Sequence, residues 1–154
     1  MITDRTKNDI VRAKELRDTK ISKGEPLTDE ELTIIERGFA TKNTINRIES
    51  KQAELKNIIN SMGYWNTKFE NKGWNWGDIF KKSDLDKIIE NNEILLDAFF
   101  AYSTTPQAAK SIYDYQEFNN IEQVLVDVEK MVADIKERYR KSGIFKSGEV
   151  IAND

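Results

Sequence analysis

The sequence contains no cysteine and no histidine among its 154 residues. The chain can therefore form no disulfide, no thiolate or imidazole metal site, no cysteine nucleophile and no serine–histidine–aspartate triad. Any catalysis would have to use carboxylates, lysine or tyrosine. We expect no metal site, no cofactor and no enzymatic activity.

Proline, glycine and long apolar runs are also scarce. Only 2 Pro and 7 Gly are present and 33% of the residues are charged, a composition that favours helices in a soluble protein. No apolar stretch approaches the roughly 20 residues that cross a bilayer, and the polar start lacks the apolar core of a signal peptide. The formal charge of −3 argues against a surface devoted to nucleic acid. We expect a cytoplasmic protein without membrane or nucleic-acid partners.

Three stretches of the chain repeat one helical pattern. They contain TKNTINRIE, KKSDLDKII and DYQEFNNIE, and they align at Ile45, Leu85 and Phe118. Apolar residues in each copy recur in alternating steps of three and four, which places them on one face of a helix and close to a coiled-coil seam. The same stripes would be satisfied by packing within one chain or between chains.

These patterns predict an all-α fold, a bundle of about five helices with three divergent repeat helices and an aromatic loop. The predicted parts are N-terminal helices within 1–38, repeat helices at 39–62, 80–102 and 113–141, an aromatic loop at 63–79 and a flexible tail at 142–154. Residues 1–141 form one helical domain in this prediction.

Helix starts are marked by capping residues. Thr28 with Glu31, and Asp114 with Glu117, have the spacing of a capping box, in which side chains satisfy N–H groups of the first turn. For the first two repeat helices we predict Thr41 and Ser83 as caps.

Gln52 and Asn92 occupy the same position in their repeats, in the middle of apolar stripes. In one interpretation the two amides face each other inside a bundle, or the stripe is exposed locally. In the other they set the register or the oligomeric state between identical chains, as a buried Asn does in coiled coils. The second interpretation predicts that Asn92→Leu raises stability and blurs the oligomeric state.

The aromatic loop gathers Tyr64, Trp65, Trp74 and Trp76, which are candidate partner-binding residues. One interpretation is a local cap that closes the open end of the bundle. The other is a protein-binding surface, because Trp and Tyr combine large contact area with a polar group and dominate interface energetics. A sugar-stacking platform is a further alternative.

The segment WNWGDIFKKSDLDKI, from Trp74 to Ile88, resembles one common in tail fibre, baseplate and host-attachment proteins of phages and prophages of Gram-positive bacteria. That segment has the form Trp-x-x-Gly-Asp-x-(Ile/Val)-Thr-Ala-x-x-Leu-Asn-x-(Ile/Met)-Glu. The chain matches it at Trp74, Gly77, Asp78, Leu85 and Ile88. Phe80 stands in for the aliphatic position and Asp86 for the Asn, whereas Lys81, Lys82 and Ile89 depart from the Thr, Ala and Glu. The other two repeats supply the Thr, Asn and Glu of the pattern at Thr41, Asn46, Glu49, Asn119 and Glu122.

The resemblance implies a helical, structural role in assembly, often in trimers. Carried onto this chain, the resemblance makes Trp74, Gly77 and Asp78 an N-terminal anchor for the second repeat helix. Gly77 would permit the turn, Asp78 would accept hydrogen bonds from exposed N–H groups, and Trp74 would pack back on the helix. The implied function is that of a non-enzymatic virion protein of the tail, baseplate or neck, structural or adaptor. Its partners would be other phage structural proteins, with homo-oligomers such as a trimer or ring. It would occupy the host cytoplasm during assembly and then the virion.

Two alternatives belong to other functional classes. One is a cytoplasmic helical protein-interaction or regulatory module that shares the repeat pattern. The other is a carboxylate-based hydrolase of cell-wall glycans, which needs two acids across a cleft. Acidic pairs such as Glu30 with Glu31 instead lie in first turns of predicted helices, where carboxylates meet the helix dipole favourably.

Overall fold

The computed structural model describes residues 1–63, 68–75, 77–107 and 114–142. Within these ranges the chain is helical and has no strand, so the all-α prediction is confirmed. The elements are α1 (Lys7–Thr19), a short 3-10 helix (Ile21–Lys23), α2 (Asp29–Gly38), α3 (Lys42–Ser61), α4 (Lys82–Leu96) and α5 (Tyr115–Ser142).

The three repeat helices run parallel to one another. Arg47 of α3 pairs with Glu122 of α5, and Lys51, one turn further along α3, pairs with Glu129. Contacts to α4 advance in the same sense, because Asn92 bonds to the Ile121 carbonyl oxygen whereas Tyr102, beyond the end of α4, bonds to Asp134. Antiparallel neighbours would reverse this order.

The apolar stripes of these three helices meet in one core inside a single chain. The central residues of the stripes are at most 3% exposed on every helix, and each such side chain contributes on the order of 1.5–3 kcal/mol on burial. The central members are Ile45, Ile48, Leu55, Ile59, Leu85, Ile88, Leu95, Ile121, Leu125 and Val128. The stripes therefore close within one chain in this structure, which sequence periodicity alone left undecided.

A parallel arrangement requires long connections, because the chain must return to the starting end before each new helix. α3 has 20 residues, so it is about 30 Å long. The segment 68–75 makes this return antiparallel to α3: Phe69 lies by Lys56, and Trp74 lies by Asn46 near the helix start. For these residues the predicted cap over the bundle end is wrong; they line the side of α3.

Helices α1 and α2 form a hairpin, which together with residues 1–6 we call the N-terminal lobe (residues 1–39). A Cβ on Gly38 would lie 2.2 Å from the Ala13 Cβ, so the absence of a side chain lets the two helices approach closely. Ala13 and Ile35 are its buried apolar residues. Among its polar links to the bundle is Glu36, which pairs with Arg47 at the start of α3.

The predicted helix starts are confirmed at three places. Thr28 forms a capping box with Glu31, and Thr41 accepts the Thr44 N–H. Asp114 accepts from the N–H groups of the second and third residues of α5, at 2.9 and 3.1 Å.

The prediction for the second repeat helix is wrong at both ends. α4 is capped at Lys81, whose N–H bonds the Asp84 carboxylate at 2.9 Å, and Ser83 lies inside the helix. The helix stops at Leu96 instead of continuing to 102, and Phe99 packs against the core from the following turn. Apolar residues after the helix thus continue the stripe without helical geometry.

Candidate functional site

The first notable site is a pair of side chains on α3 that binds the backbone of the returning segment. Asn46 accepts the Trp74 N–H at 2.8 Å and donates to the Trp74 carbonyl oxygen at 3.0 Å. One turn on, Glu49 accepts the N–H groups of Lys72 and Gly73, at 3.3 and 3.0 Å. We call Asn46 and Glu49 the α3 clamp. It contacts main-chain atoms, so it fixes an extended segment with little regard to that segment's side chains.

A second pair on α5 binds the first residues of the chain in the same way. Asn119 accepts the Arg5 N–H at 3.0 Å and donates to the Arg5 carbonyl oxygen at 2.9 Å. One turn on, Glu122 accepts the Ile2 N–H. We call Asn119 and Glu122 the α5 clamp.

The segments held by the two clamps also share their next turn. Asp78 accepts the Asn75 N–H at 2.7 Å, and Asp9 accepts the Thr6 N–H at the same distance. The stretch from Arg5 to Asp9 is therefore the structural counterpart of the stretch from Trp74 to Asp78. Sequence reasoning missed this second segment. Its only signal was an Asp four residues after the clamped position, and Arg in place of Trp hid it.

The middle repeat lacks this pair of residue types. α4 has Asp86 where the other helices have Asn46 and Asn119, and Ile89 where they have glutamate. Ile89 is 1% exposed and belongs to the core. The residues that the resemblance picked out thus act as two clamps in the first and third copies, and α4 contributes packing at the glutamate position.

Trp74 is part of the core and not an exposed partner-binding residue. It is 6% exposed, its ring meets Phe80 edge-on at 5.2 Å between centroids, and the Lys72 ammonium lies 3.8 Å from the ring centroid. The expectation that Trp74 offers a partner surface is wrong, because its ring is buried in the core cluster that the three repeat helices share. Tyr64, Trp65 and Trp76 lie outside the described residues.

The Gly-Asp pair behaves only in part as predicted. Gly77 has φ +93°, in the left-handed region that favours glycine, so it does permit the turn. The Asp78 carboxylate, however, accepts the Asn75 N–H inside that turn, and α4 begins only at Lys82. The prediction that Asp78 accepts N–H groups at the start of α4 is therefore wrong. The aspartate shapes the turn before the helix.

Gln52 and Asn92 face each other inside the bundle, as the first interpretation of their position had it. The Gln52 amide donates to Asn92 Oδ1 and to the Ile88 carbonyl oxygen, both at 2.8 Å, and Asn92 donates to the Ile121 carbonyl oxygen at 3.0 Å. Asn91 adds a weaker contact to Gln52 at 3.4 Å. This polar layer joins all three repeat helices within one chain. Its role in register between copies stays a prediction.

Glu122 is the most buried carboxylate and the centre of a charge cluster. Its side chain is 0% exposed, that of Arg5 is 3% exposed, and their N···O distance is 2.6 Å. Arg47 contacts the same oxygen at 2.9 Å from the α3 side. Charges removed from water at this depth require such partners, because an unpaired buried ion is strongly destabilising. The cluster joins the N-terminal lobe, α3 and α5 at one point.

A cleft of about 200 Å³ lies between the clamped segment and α4. Three carboxylates line it, those of Glu49, Glu70 and Asp84. Two of these already bind backbone N–H groups: Glu49 those of the returning segment, and Asp84 that of Lys81. Most of the acidic groups in the cleft therefore accept hydrogen bonds from the protein's own backbone.

Comparison with known proteins finds no match, whether among family models, curated proteins or solved structures. In the part of the chain described here, no helix is long and apolar enough to cross a membrane. The same residues contain no group of three or more metal-binding side chains suited to a metal ion.

Proposed function

We propose that the chain is a non-enzymatic structural or adaptor protein of a phage or prophage particle, acting through protein–protein assembly in the tail, baseplate or neck. The sequence resemblance supplies the setting. What supports it in the structure is the use of the motif residues: Asn46, Glu49, Asn119 and Glu122 bind backbone, and Trp74 packs. These are roles in shaping a scaffold.

The parallel three-helix bundle formed by a single chain also supports this proposal. Three parallel helices in one register are the arrangement that a parallel trimer of short helices would form, and here one chain supplies all three. The connection from α3 to α4 is fixed along the side of α3 by hydrogen bonds that Asn46 and Glu49 form with its backbone atoms. A bundle with two distinct ends suits a part that joins two neighbours.

The proposal is tested by co-sedimentation with particles. Particles released by the bacterium that encodes the chain are purified on a density gradient and probed for the chain with an antibody. The proposal requires the chain in the particle band at a fixed ratio to a major tail protein. Recovery of the chain only in the soluble fraction would favour the rival cytoplasmic interaction module.

Variants test whether the aromatic loop contacts the particle. Trp65→Ser and Trp76→Ser should reduce co-sedimentation while leaving the circular dichroism of the free protein unchanged. Ile79→Ser is the matched control, because this neighbouring side chain is 75% exposed and large. An equal loss in all three variants would point to a general effect of surface hydrophobicity. The hydrolase alternative predicts cleared bands in a cell-wall zymogram.

A further inference from the structure

Helix α5 extends beyond the rest of the bundle. The register of the repeats aligns Ser61, the last residue of α3, with Asp134 of α5, so α5 continues for eight more residues, or about 12 Å. We call residues 135–142 the overhang. Its sequence IKERYRKS holds four cations and one carboxylate, in a chain whose formal charge is −3. Lys136 and Arg138 are exposed.

An exposed aromatic patch lies beside the overhang. Phe100 is 100% exposed, and two residues later the Tyr102 hydroxyl donates to Asp134 at 2.6 Å, immediately before the overhang begins. This carboxylate raises the pKa of Tyr102, an effect that the nearby Arg138 opposes. The patch and the cations thus share one end of the bundle. A fully exposed Phe beside unburied cations is a surface suited to an acidic, partly apolar partner.

The opposite end of the same molecule has an acidic, partly apolar surface of this kind. The segment 25–36, which includes most of α2, has five carboxylates and no cation. Asp29 and Glu30 are exposed, and Leu32 beside them is 47% exposed. α2 lies at the start of the bundle, since Glu36 pairs with Arg47 near the beginning of α3.

From this charge complementarity we infer that two copies of the chain associate head to tail. The exposed face of α2 in one copy docks on the overhang and Phe100 of the next. Such a contact joins two different surfaces, so it repeats from copy to copy and gives a ring if the rotation closes or a filament if it does not. The inference deepens the assembly role proposed above and takes its biological setting from it.

The test is a charge swap followed by light scattering of the full chain. At low ionic strength the mass of the wild-type protein should rise with concentration, and in about 0.5 M salt it should fall towards the monomer, because exposed charges are then screened within a few Å. Lys136→Glu/Arg138→Glu should stay monomeric, and so should Asp29→Lys/Glu30→Lys. An equimolar mixture of these two variants restores opposite charges at every contact and should associate again.

Two controls separate this contact from general effects. Lys81→Glu/Lys87→Glu makes the same charge change at exposed positions on α4 and its N-cap, which belong to neither surface, and should leave association unchanged. Phe100→Ser should weaken association about tenfold or more, the range for losing an interface anchor, whereas Ile79→Ser should not.

A wild-type chain that remains monomeric at millimolar concentration and low salt would overturn the inference. So would a mixture of the two charge variants that fails to associate. Neither outcome bears on co-sedimentation with particles, which uses a different preparation and readout. Self-association and the particle role can therefore fail separately.

Discussion

The buried polar layer offers a prediction whose size follows from counted hydrogen bonds. Gln52 is 0% exposed and Asn92 is 2% exposed, and their mutual bond is 2.8 Å. Asn92→Leu leaves one Gln52 amide hydrogen without an acceptor, and Gln52→Leu leaves Asn92 Oδ1 without a donor. A buried polar group without a partner costs about 1–3 kcal/mol. Replacing both residues removes both orphaned groups, while Asn91 keeps its bond to Asn71 at 3.1 Å.

We therefore expect each single variant to be destabilised by about 1–2 kcal/mol, after partial compensation from the apolar surface that leucine buries. The double variant should be at least as stable as either single one, with a coupling free energy of about 2 kcal/mol. Urea unfolding followed by circular dichroism at 222 nm measures all four proteins. Single costs that add within about 0.5 kcal/mol would refute the assigned pairing. A destabilised Asn92→Leu variant would also contradict the sequence-based expectation that this substitution raises stability.

Three further predictions concern the rest of the molecule. Glu122→Gln should destabilise the protein by about 3 kcal/mol in urea unfolding, because a buried arginine loses its ion partner, whereas Glu129→Gln in an exposed pair should cost under about 1 kcal/mol. Gly38→Ala should lower the melting temperature by forcing α1 and α2 apart, and adding Ala13→Gly should not restore it, because the new Cβ would still lie 2.6 Å from the Asp9 carbonyl oxygen. The Arg37 guanidinium holds the pKa of Asp9 below its ordinary 3.8. The stability that this carboxylate contributes is therefore present above about pH 4 and lost as the pH falls below that value. Asp9→Asn should make the melting temperature fall less steeply with decreasing pH in thermal melts.

Periodicity predicted the helices well because each repeat buries one continuous stripe. Ile45, Leu85 and the residues that follow them at helical spacing all lie in the core. The same stripes do not indicate helix direction, since parallel and antiparallel neighbours bury equal areas. The length of the connections was the missed signal, because about twenty residues between helices are needed to return along a parallel bundle and are superfluous in an antiparallel one.

The clamps show a second limit of sequence reasoning. The copies of Asn46 and Glu49 in the third repeat were recognised as matching residues, but their ligands are backbone atoms, which carry no sequence signature. Residue type alone makes Trp74 a candidate for a partner surface, and its burial depends on the tertiary path of the segment that carries it. Gln52 and Asn92 were paired correctly because they share one repeat position and a bundle brings such positions to one level.

The central feature of the fold is that three parallel helices close one core within a single chain. The chain has no cysteine, so spin labels can be attached at introduced cysteines without background. Exposed Asn57 of α3 is level with exposed Lys130 of α5, whereas exposed Gln116 lies 14 residues earlier on α5, or about 21 Å along its axis.

Electron–electron distance measurements on two doubly labelled proteins, at positions 57 with 130 and 57 with 116, test this arrangement. Parallel helices in one chain predict a clearly shorter distance for 57 with 130 than for 57 with 116. At micromolar concentration in high salt, a chain labelled at 57 alone should give no distance. A shorter distance for 57 with 116 would contradict the parallel order. A short distance between singly labelled chains would show that the core is shared between copies.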